Sequence, residues 1–592
     1  MRQPVPIRAP FGGLVTNPAF RTVDPRHSVD NLNVHTAWGA IEKRRGFTQF
    51  STNRANDLSV AIRGFRLKST SYVFSLAQAS MSVFNAVTGV REFDYLLPAG
   101  IGDGFIAMEQ YGGVVYVGGD ANTQQKIYAN GAVLNRARIG IVAPTLSPTV
   151  GGHFGGATTF PLGTYSYRYT YYSAVTGTES GPGPEGTRVV GGPNEHNDVT
   201  PTASADTQVS NIRLYRKLNG TDSTWFFVAS LPNTTTLYHD ENVTIAKTLN
   251  DALNVVTGLP PAVSYFLIAY KDRMFWRDDS GIANTTDFND LVCSEFQRPE
   301  NVNVNNRFRF GNAQNDGIVG GIVAFGALVI FCRKSIWMLV GDGPSSFSRE
   351  KIVDGVGCID RDTIRSDPRT GVIYFCDDMG AFSFDGSGVK YLSHNVQSVY
   401  RTIPQNRPIS AGFDTRAGLY IISGAFPGEE YAKQLVYDPA GGNWFVWKMD
   451  AKKFGDLRTP NKSLFMGGQA FPGINLYRGP TGDTEADYGT TPIAWRWQTP
   501  KIDFGSTRRK VVRYASVAWG GESATETITL KHGIDDNPVD RPVAKTRAGR
   551  PQMKKWRLGR RCDSIQLELS GASSIATRIT AIDLDAEQVG HR

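Results

Sequence analysis

A pair of short strands recurs along this chain at a spacing that leaves few folds open. An apolar run is followed by a polar or glycine turn, then by a second run that ends at Asp, Asn or Gly. The instances are residues 71–89, 113–131, 327–343, 371–388, 418–442 and 463–482, with a seventh opening at 265–278. The second strands begin near Val83, Ile127, Ile336, Phe382, Val436 and Leu476, so the steps within contiguous parts are 44, 46, 54 and 40 residues. A sheet repeat of about 40–50 residues is the signature of propeller blades, none of which buries both faces alone. The turn Asp438-Pro439-Ala440-Gly441-Gly442 ahead of Asn443-Trp444-Phe445-Val446-Trp447 shows the chemistry, turn formers and then aromatic and β-branched residues. Nowhere does an apolar spacing of three and four residues persist beyond about two helical turns.

The gap between Ile127 and Ile336 is too wide for one blade, which predicts an insertion. The run from Gly163 to Tyr171 alternates strictly, as a half-buried strand does. Further strands are predicted at 211–218, 225–231 and 234–243, and strands this close together suggest a small β-sandwich. Alternating strands fill the last hundred or so residues. The expected architecture is all-β: an arm with strand pieces at 1–60, first blades at 61–143, an inserted sandwich at 144–255, remaining blades at 256–490 and a terminal β-sandwich at 491–592. Six or seven blades fit the repeats.

At 592 residues the chain exceeds what one core supports, and about three or four domains are expected. Its net charge of +8 is uneven: +4 over residues 1–60, +6 over 501–592 and −3 over 144–260. Basic ends and an acidic insert suit assembly between unlike surfaces as well as they suit nucleic acid. Five cysteines, Cys293, Cys332, Cys358, Cys376 and Cys562, form no C-x-x-C pair and read as buried thiols of a protein made in a reducing cytoplasm. The opening MRQPVPIRAP lacks the apolar core of a signal peptide. The uncharged run from Gly317 to Cys332 is sixteen residues, short for a membrane span and better explained as a buried β-hairpin.

Several stretches resemble the tail nozzle, tail hub or tail tubular protein B-like family of short-tailed bacteriophages. One is the opening GGLVTNPAFRTVDPRHSVDNLNVHTAWGAIEKRRGF, where an Asn-rich segment leads to the turn Lys43-Arg44-Arg45-Gly46. GTYSYRYTYYSAVTGTESGPGP followed by NIRLYRKL resembles that family's fibronectin-type-III-like insert, and YKDRMFWRDDSG and SIWMLVGDGPSSFSREKIVDGVGCID resemble its blades. IDFGSTRRKVVRYASV and GRRCDSIQLELSG resemble its terminal sandwich. The order of parts covers nearly the whole chain. The resemblance implies a structural virion protein: a homohexameric ring bound to tail adaptor or head-to-tail connector proteins, with double-stranded DNA passing through its channel. Tail fibres or a needle are further partners on this view, and the host surface is met indirectly.

The eight histidines (27, 35, 153, 196, 239, 394, 532, 591) never stand as H-x-x-x-H or H-x-H, so no local zinc spacing exists. There is no Walker loop and no nucleophile elbow, and the GPGPEG at 181–186 opens no helix. No catalytic residue, metal or cofactor is expected. The acid pairs Asp278-Asp279, Asp377-Asp378 and Asp535-Asp536 read as solvated turns, and NGTDSTWFF at 219–227 lacks the glycine of a sialidase Asp-box. Trp276, Trp337, Trp444 and Trp447 read as blade core rather than sugar-stacking rims. The basic residues Arg508, Arg509, Lys510, Arg560 and Arg561 are candidate subunit-interface or adaptor contacts, with DNA grip as the competing role. The alternative functions are a receptor- or glycan-binding tail propeller and, further off, a tail-associated glycosidase, which needs two positioned carboxylates.

Overall fold

The computed structural model describes residues 2–16, 23–50, 59–77, 80–96, 107–120, 124–131, 133–155, 160–241, 253, 257–280, 289–311, 315–456, 464–467, 476–479, 486–487, 490–504, 509–520, 525–535, 541–548, 552–574 and 576–589. Within them the chain is all-β. Strands build eleven sheets, and the α-helical content is the one turn Gln397–Tyr400.

Seven sheets follow one another along the sequence. Two span 59–96 and 108–137, and after an interruption five more span 257–309, 318–354, 365–391, 410–448 and 453–478. The last takes its fourth strand from far upstream, because Thr48–Gln49 pairs with Leu476–Arg478. Each of the six second strands read from the sequence lies in the third strand of its sheet, for example Val83 in Ser80–Asn85 and Ile336 in Ser335–Val340. The uncharged run 317–332 is a hairpin, Ile318–Ala324 paired with Ala327–Cys332.

Why the strands of these sheets read as unbroken apolar runs follows from their packing. Successive side chains of a strand point to opposite faces. In Ala327–Cys332, Leu328 and Ile330 pack with Phe275 and Leu291 of the preceding sheet, while Val329 and Phe331 pack with Ile373 and Phe375 of the following one. Val114 and Tyr116 likewise meet Met274 and Trp276, whereas Val115 and Val117 meet Phe74 and Val83. Burial on both faces removes the need for alternation. Contacts of this kind run from each sheet to the next, and Ile62, Val73 and Phe84 of the first sheet pack with Phe465 of the seventh.

The interruption is a pair of sheets. Three strands, Thr149–Phe154, Glu195–Thr200 and Tyr238–Asp240, make one, and Gly163–Tyr172, Gly186–Val190, Asn211–Leu218 and Phe226–Pro232 make the other. The odd-numbered tyrosines 165, 167, 169 and 171 turn inward onto Val199, Ile212 and Leu214, as the strict alternation predicts. Glu300, 2% exposed, fastens this unit to the sheets around it. Its Oε1 accepts from Tyr116 Oη at 3.0 Å, Lys126 Nζ at 2.8 Å and Thr178 Oγ1 at 2.9 Å, and its Oε2 accepts from Gly140 N at 2.6 Å.

The remaining two sheets join the chain ends. Arg2–Arg8 pairs with Arg578–Gln588, Asp30–Leu32 with Ile493–Gln498, and Ala40–Lys43 with the start of Arg578–Gln588. Trp495, Trp497, Trp519 and Trp556 fill the core between them. The N-terminal strand pieces are therefore stitched into the last hundred residues rather than extended from the body as an arm. Asn31 and Asn33 belong to the same seam, their Oδ1 atoms accepting from Val446 N and Lys448 N at 2.9 and 2.7 Å.

Candidate functional site

Strands of six of the seven sheets, among them Ser59–Leu67, Met108–Tyr111, Leu267–Tyr270 and Ile318–Ala324, line a cavity of about 1140 Å³. Its charged lining is Arg63, Arg66, Lys271, Arg361 and Arg365 against a single carboxylate, Glu109, among the described lining residues. Behind the wall, Asp362 accepts from Lys453 Nζ at 2.6 Å and from Arg63 Nη2 at 3.1 Å. Burial alone would raise the Asp362 pKa, but Lys453, Arg63, Arg361 and Arg365 outweigh it and hold the carboxyl far below the usual carboxylate range. Burial pulls the Arg361 guanidinium down to about 10. The cavity is of ligand size and suits an anion. Among the described lining residues Glu109 is the one carboxylate, whereas glycoside hydrolysis uses a facing pair.

The basic residues singled out from the sequence do not form one patch. Arg508 lies outside the described residues. Arg509 is exposed, 3.8 Å from Asp563. Lys510 is 1% exposed, with Nζ donating to the carbonyls of Asp503 and Asp563 at 2.6 and 3.3 Å. That is a correction: Lys510 is committed to holding two loops together and is not offered to a partner. Arg560 is half-buried on the strand Gln552–Cys562, and Arg561 beside it is exposed.

The acid pairs have structural partners. Asp279 is buried against Arg277 at 2.7 Å, Asp278 pairs with Arg307 at 2.6 Å, and Asp377 accepts from Met379 N at 3.0 Å. Asp535 caps a turn by accepting from Asp563 N at 2.7 Å, and Asp536 lies outside the described residues. Trp276, Trp444 and Trp447 are buried in the cores between sheets, and Trp337 packs half-buried against one. All five cysteines are buried and unpaired. No helix among the described residues is long and apolar enough to cross a membrane.

Two features escaped the sequence reading. Trp38 is 92% exposed at the tip of the hairpin Val34–Ala37/Ala40–Lys43, held there at φ 51°. A Trp-Gly turn was its only signal. The second is a cluster of His153, Asp198 and His239, one from each strand of the three-stranded insert sheet. Asp198 Oδ1 lies 2.5 Å from His153 Nδ1 and 2.7 Å from His239 Nδ1. Residues 45 and 41 positions apart carry no local spacing, and strand register alone brings them together.

No family model matches the chain, and no curated protein matches it. Among solved structures it is similar to the extracellular domain of the one-component system BT4673 from B. thetaiotaomicron, at 10% identity over 74% of this chain and a TM-score of 0.29. This chain covers 50% of that one, so it spans half its length. It is also similar to apo AztD from Citrobacter koseri, at 8% identity over 67% of this chain and 88% of that one, with a TM-score of 0.29. A third is an exo-β-1,3-galactanase from Phanerochaete chrysosporium, at 9% identity over 92% and 99%, with a TM-score of 0.21. Likeness this partial carries no argument about function.

Proposed function

We propose that this chain is a structural subunit of a short-tailed bacteriophage tail, a nozzle or hub whose copies assemble into a ring around the path of the DNA. The observation that carries the reading is the succession of units along the chain. Two four-stranded sheets, a two-sheet insert, five further sheets and a terminal sheet pair follow in the order that the resemblance to the nozzle family implies. The seven sheets read as blades of one propeller, with Thr48–Gln49 completing the seventh blade and tying it to the N-terminal segment. Such radial repetition leaves only short protected edges and makes a stiff wall. The cavity of about 1140 Å³ that six of those sheets line is ligand-sized, so on this reading the DNA conduit lies on the axis between copies. Trp38, bare on its hairpin, is the side chain best suited to anchor a neighbouring subunit or adaptor.

The cationic lining of the cavity favours one alternative, a tail propeller that binds acidic glycans. Cryo-electron microscopy of the intact full-length protein, and of virions that carry it, separates the two. Rings of copies with interfaces above about 1,000 Å² and an axial channel wide enough for duplex DNA support the conduit. Monomers that bind acidic oligosaccharides saturably, at the periphery of a virion, would overturn it.

A further inference from the structure

We infer that His153, Asp198 and His239 form a binding site for a first-row transition dication of the Zn²⁺ type, in the insert, which contributes no described residue to the cavity lining. Three lone-pair atoms crowd one point, with His153 Nδ1 and His239 Nδ1 at 2.5 and 2.7 Å from the same carboxylate oxygen. Atoms of this kind so close together need a proton or a metal ion between them. Two imidazoles and a carboxylate are a donor set that Zn²⁺ and its neighbours accept, with bonds of about 2.0–2.2 Å. Tetrahedral bonds of that length separate ligand atoms by about 3.3 Å, so seating an ion requires each ring to move outward by less than about 1 Å.

The surroundings fit the same reading. Glu241 Oε1 lies 3.5 Å from His153 Nε2. A carboxylate there holds the proton on Nε2 and leaves Nδ1 as the ligand atom, the usual arrangement behind a metal-bound histidine. His196, directly across the strand pair from His153 and fully buried, stacks on that ring at 5.3 Å with neither nitrogen hydrogen-bonded. The pocket thus holds one buried polar group more than its hydrogen bonds use, which is uncommon in protein interiors. The side chains of His153 and Asp198 are 23% and 18% exposed and that of His239 is 56% exposed, so an ion has an entry path.

The ligands come from all three strands of one sheet, with Asp198 on the central strand and a histidine on each edge. Tyr238–Asp240 is only three residues long, held by three register pairs. An ion bridging it to the centre fastens the edge at which the insert returns to the rest of the chain.

The test uses the untagged full-length chain, stripped with EDTA and titrated calorimetrically with Zn²⁺. The expected result is one Zn²⁺ per chain with release of protons, since imidazole N–H and metal compete for Nδ1. Zn²⁺ should also raise the thermal midpoint of the insert and its resistance to protease. Asp198→Asn and His239→Ala should each weaken binding at least tenfold while the far-ultraviolet circular dichroism stays unchanged. The exposed His239 keeps the test valid if the Asp198 variant misfolds. A wild-type chain that takes up no Zn²⁺, or variants that bind it as tightly as wild type, would overturn the site.

Discussion

Asp414 closes the strand Ser410–Asp414 with 3% of its surface exposed, and its Oδ1 accepts from Arg416 N at 2.9 Å. Burial pushes its pKa up to about 6, against the smaller opposing effect of those backbone hydrogen bonds. The folded state therefore keeps a proton that the unfolded chain has lost between about pH 4 and pH 6. The stabilisation is fully present below that window and is lost as the pH rises through 6. Asp414→Asn keeps the acceptor and abolishes the titration. It should raise the thermal midpoint at pH 8, by the equivalent of about 2–3 kcal/mol, and change little at pH 4. An equal shift at both pH values would rule out this account. At this scale the sequence was read well where the residue type carries the reason, as with the buried tryptophans and thiols. It was read poorly where a long cation has two uses. Lys510 reads from the sequence as a candidate subunit-interface or adaptor contact, yet it is buried. Arg44, 1% exposed, likewise turns inward and meets Asp487 through two hydrogen bonds of 2.8 and 2.6 Å. Gly46 in the same turn stands where a Cβ would fall 1.9 Å from Ala486 O, so its absence of a side chain is a packing requirement.

At the scale of elements, the recurrent strand pair was the most legible feature, because strands buried on both faces become short apolar runs bounded by turns. The strand Gly163–Tyr172 was legible for the opposite reason, since one of its faces is core and the tyrosines alternate. What no local pattern shows is how the insert is held. Lys126, Glu300, Tyr116 and Thr178 come from three sequence regions and meet in one buried network. Lys126→Met leaves the Glu300 carboxylate without its cation and should cost about 3–5 kcal/mol, read as a lower thermal midpoint and faster proteolysis at the insert boundary. The double variant Lys126→Met/Glu300→Leu should lose less than the sum of the two single changes. Strict additivity would show that the pair is not coupled.

For the whole molecule, assembly is the property to test. In the proposed ring, Arg560 and Arg561 lie on the strand Gln552–Cys562, Arg509 immediately precedes the strand Lys510–Gly520, and Trp38 sits on the hairpin stitched into the same sheets. Replacing the three arginines by Ala, or Trp38 by Ala, should shift the full-length protein from rings to monomers in mass photometry, with the fold intact by circular dichroism. Normal rings combined with leakage of packaged DNA would instead assign the arginines to DNA contact. Loss of one anchoring Trp is worth on the order of 2 kcal/mol or more at an interface, enough to dissociate a ring at low concentration.

The all-β class and the repeat of strand pairs were determined by the sequence itself, because period and turn chemistry are local and survive without any partner. The tertiary structure decided what joins distant positions: the upstream strand that completes the last sheet, the N-terminal strands sewn into the C-terminal sheets, the cationic cavity, and the His153–Asp198–His239 cluster. Each of these depends on register between strands far apart in the chain. A shift of one residue in register turns every side chain to the opposite face, and nothing in a local stretch of sequence states which register its distant partner adopts.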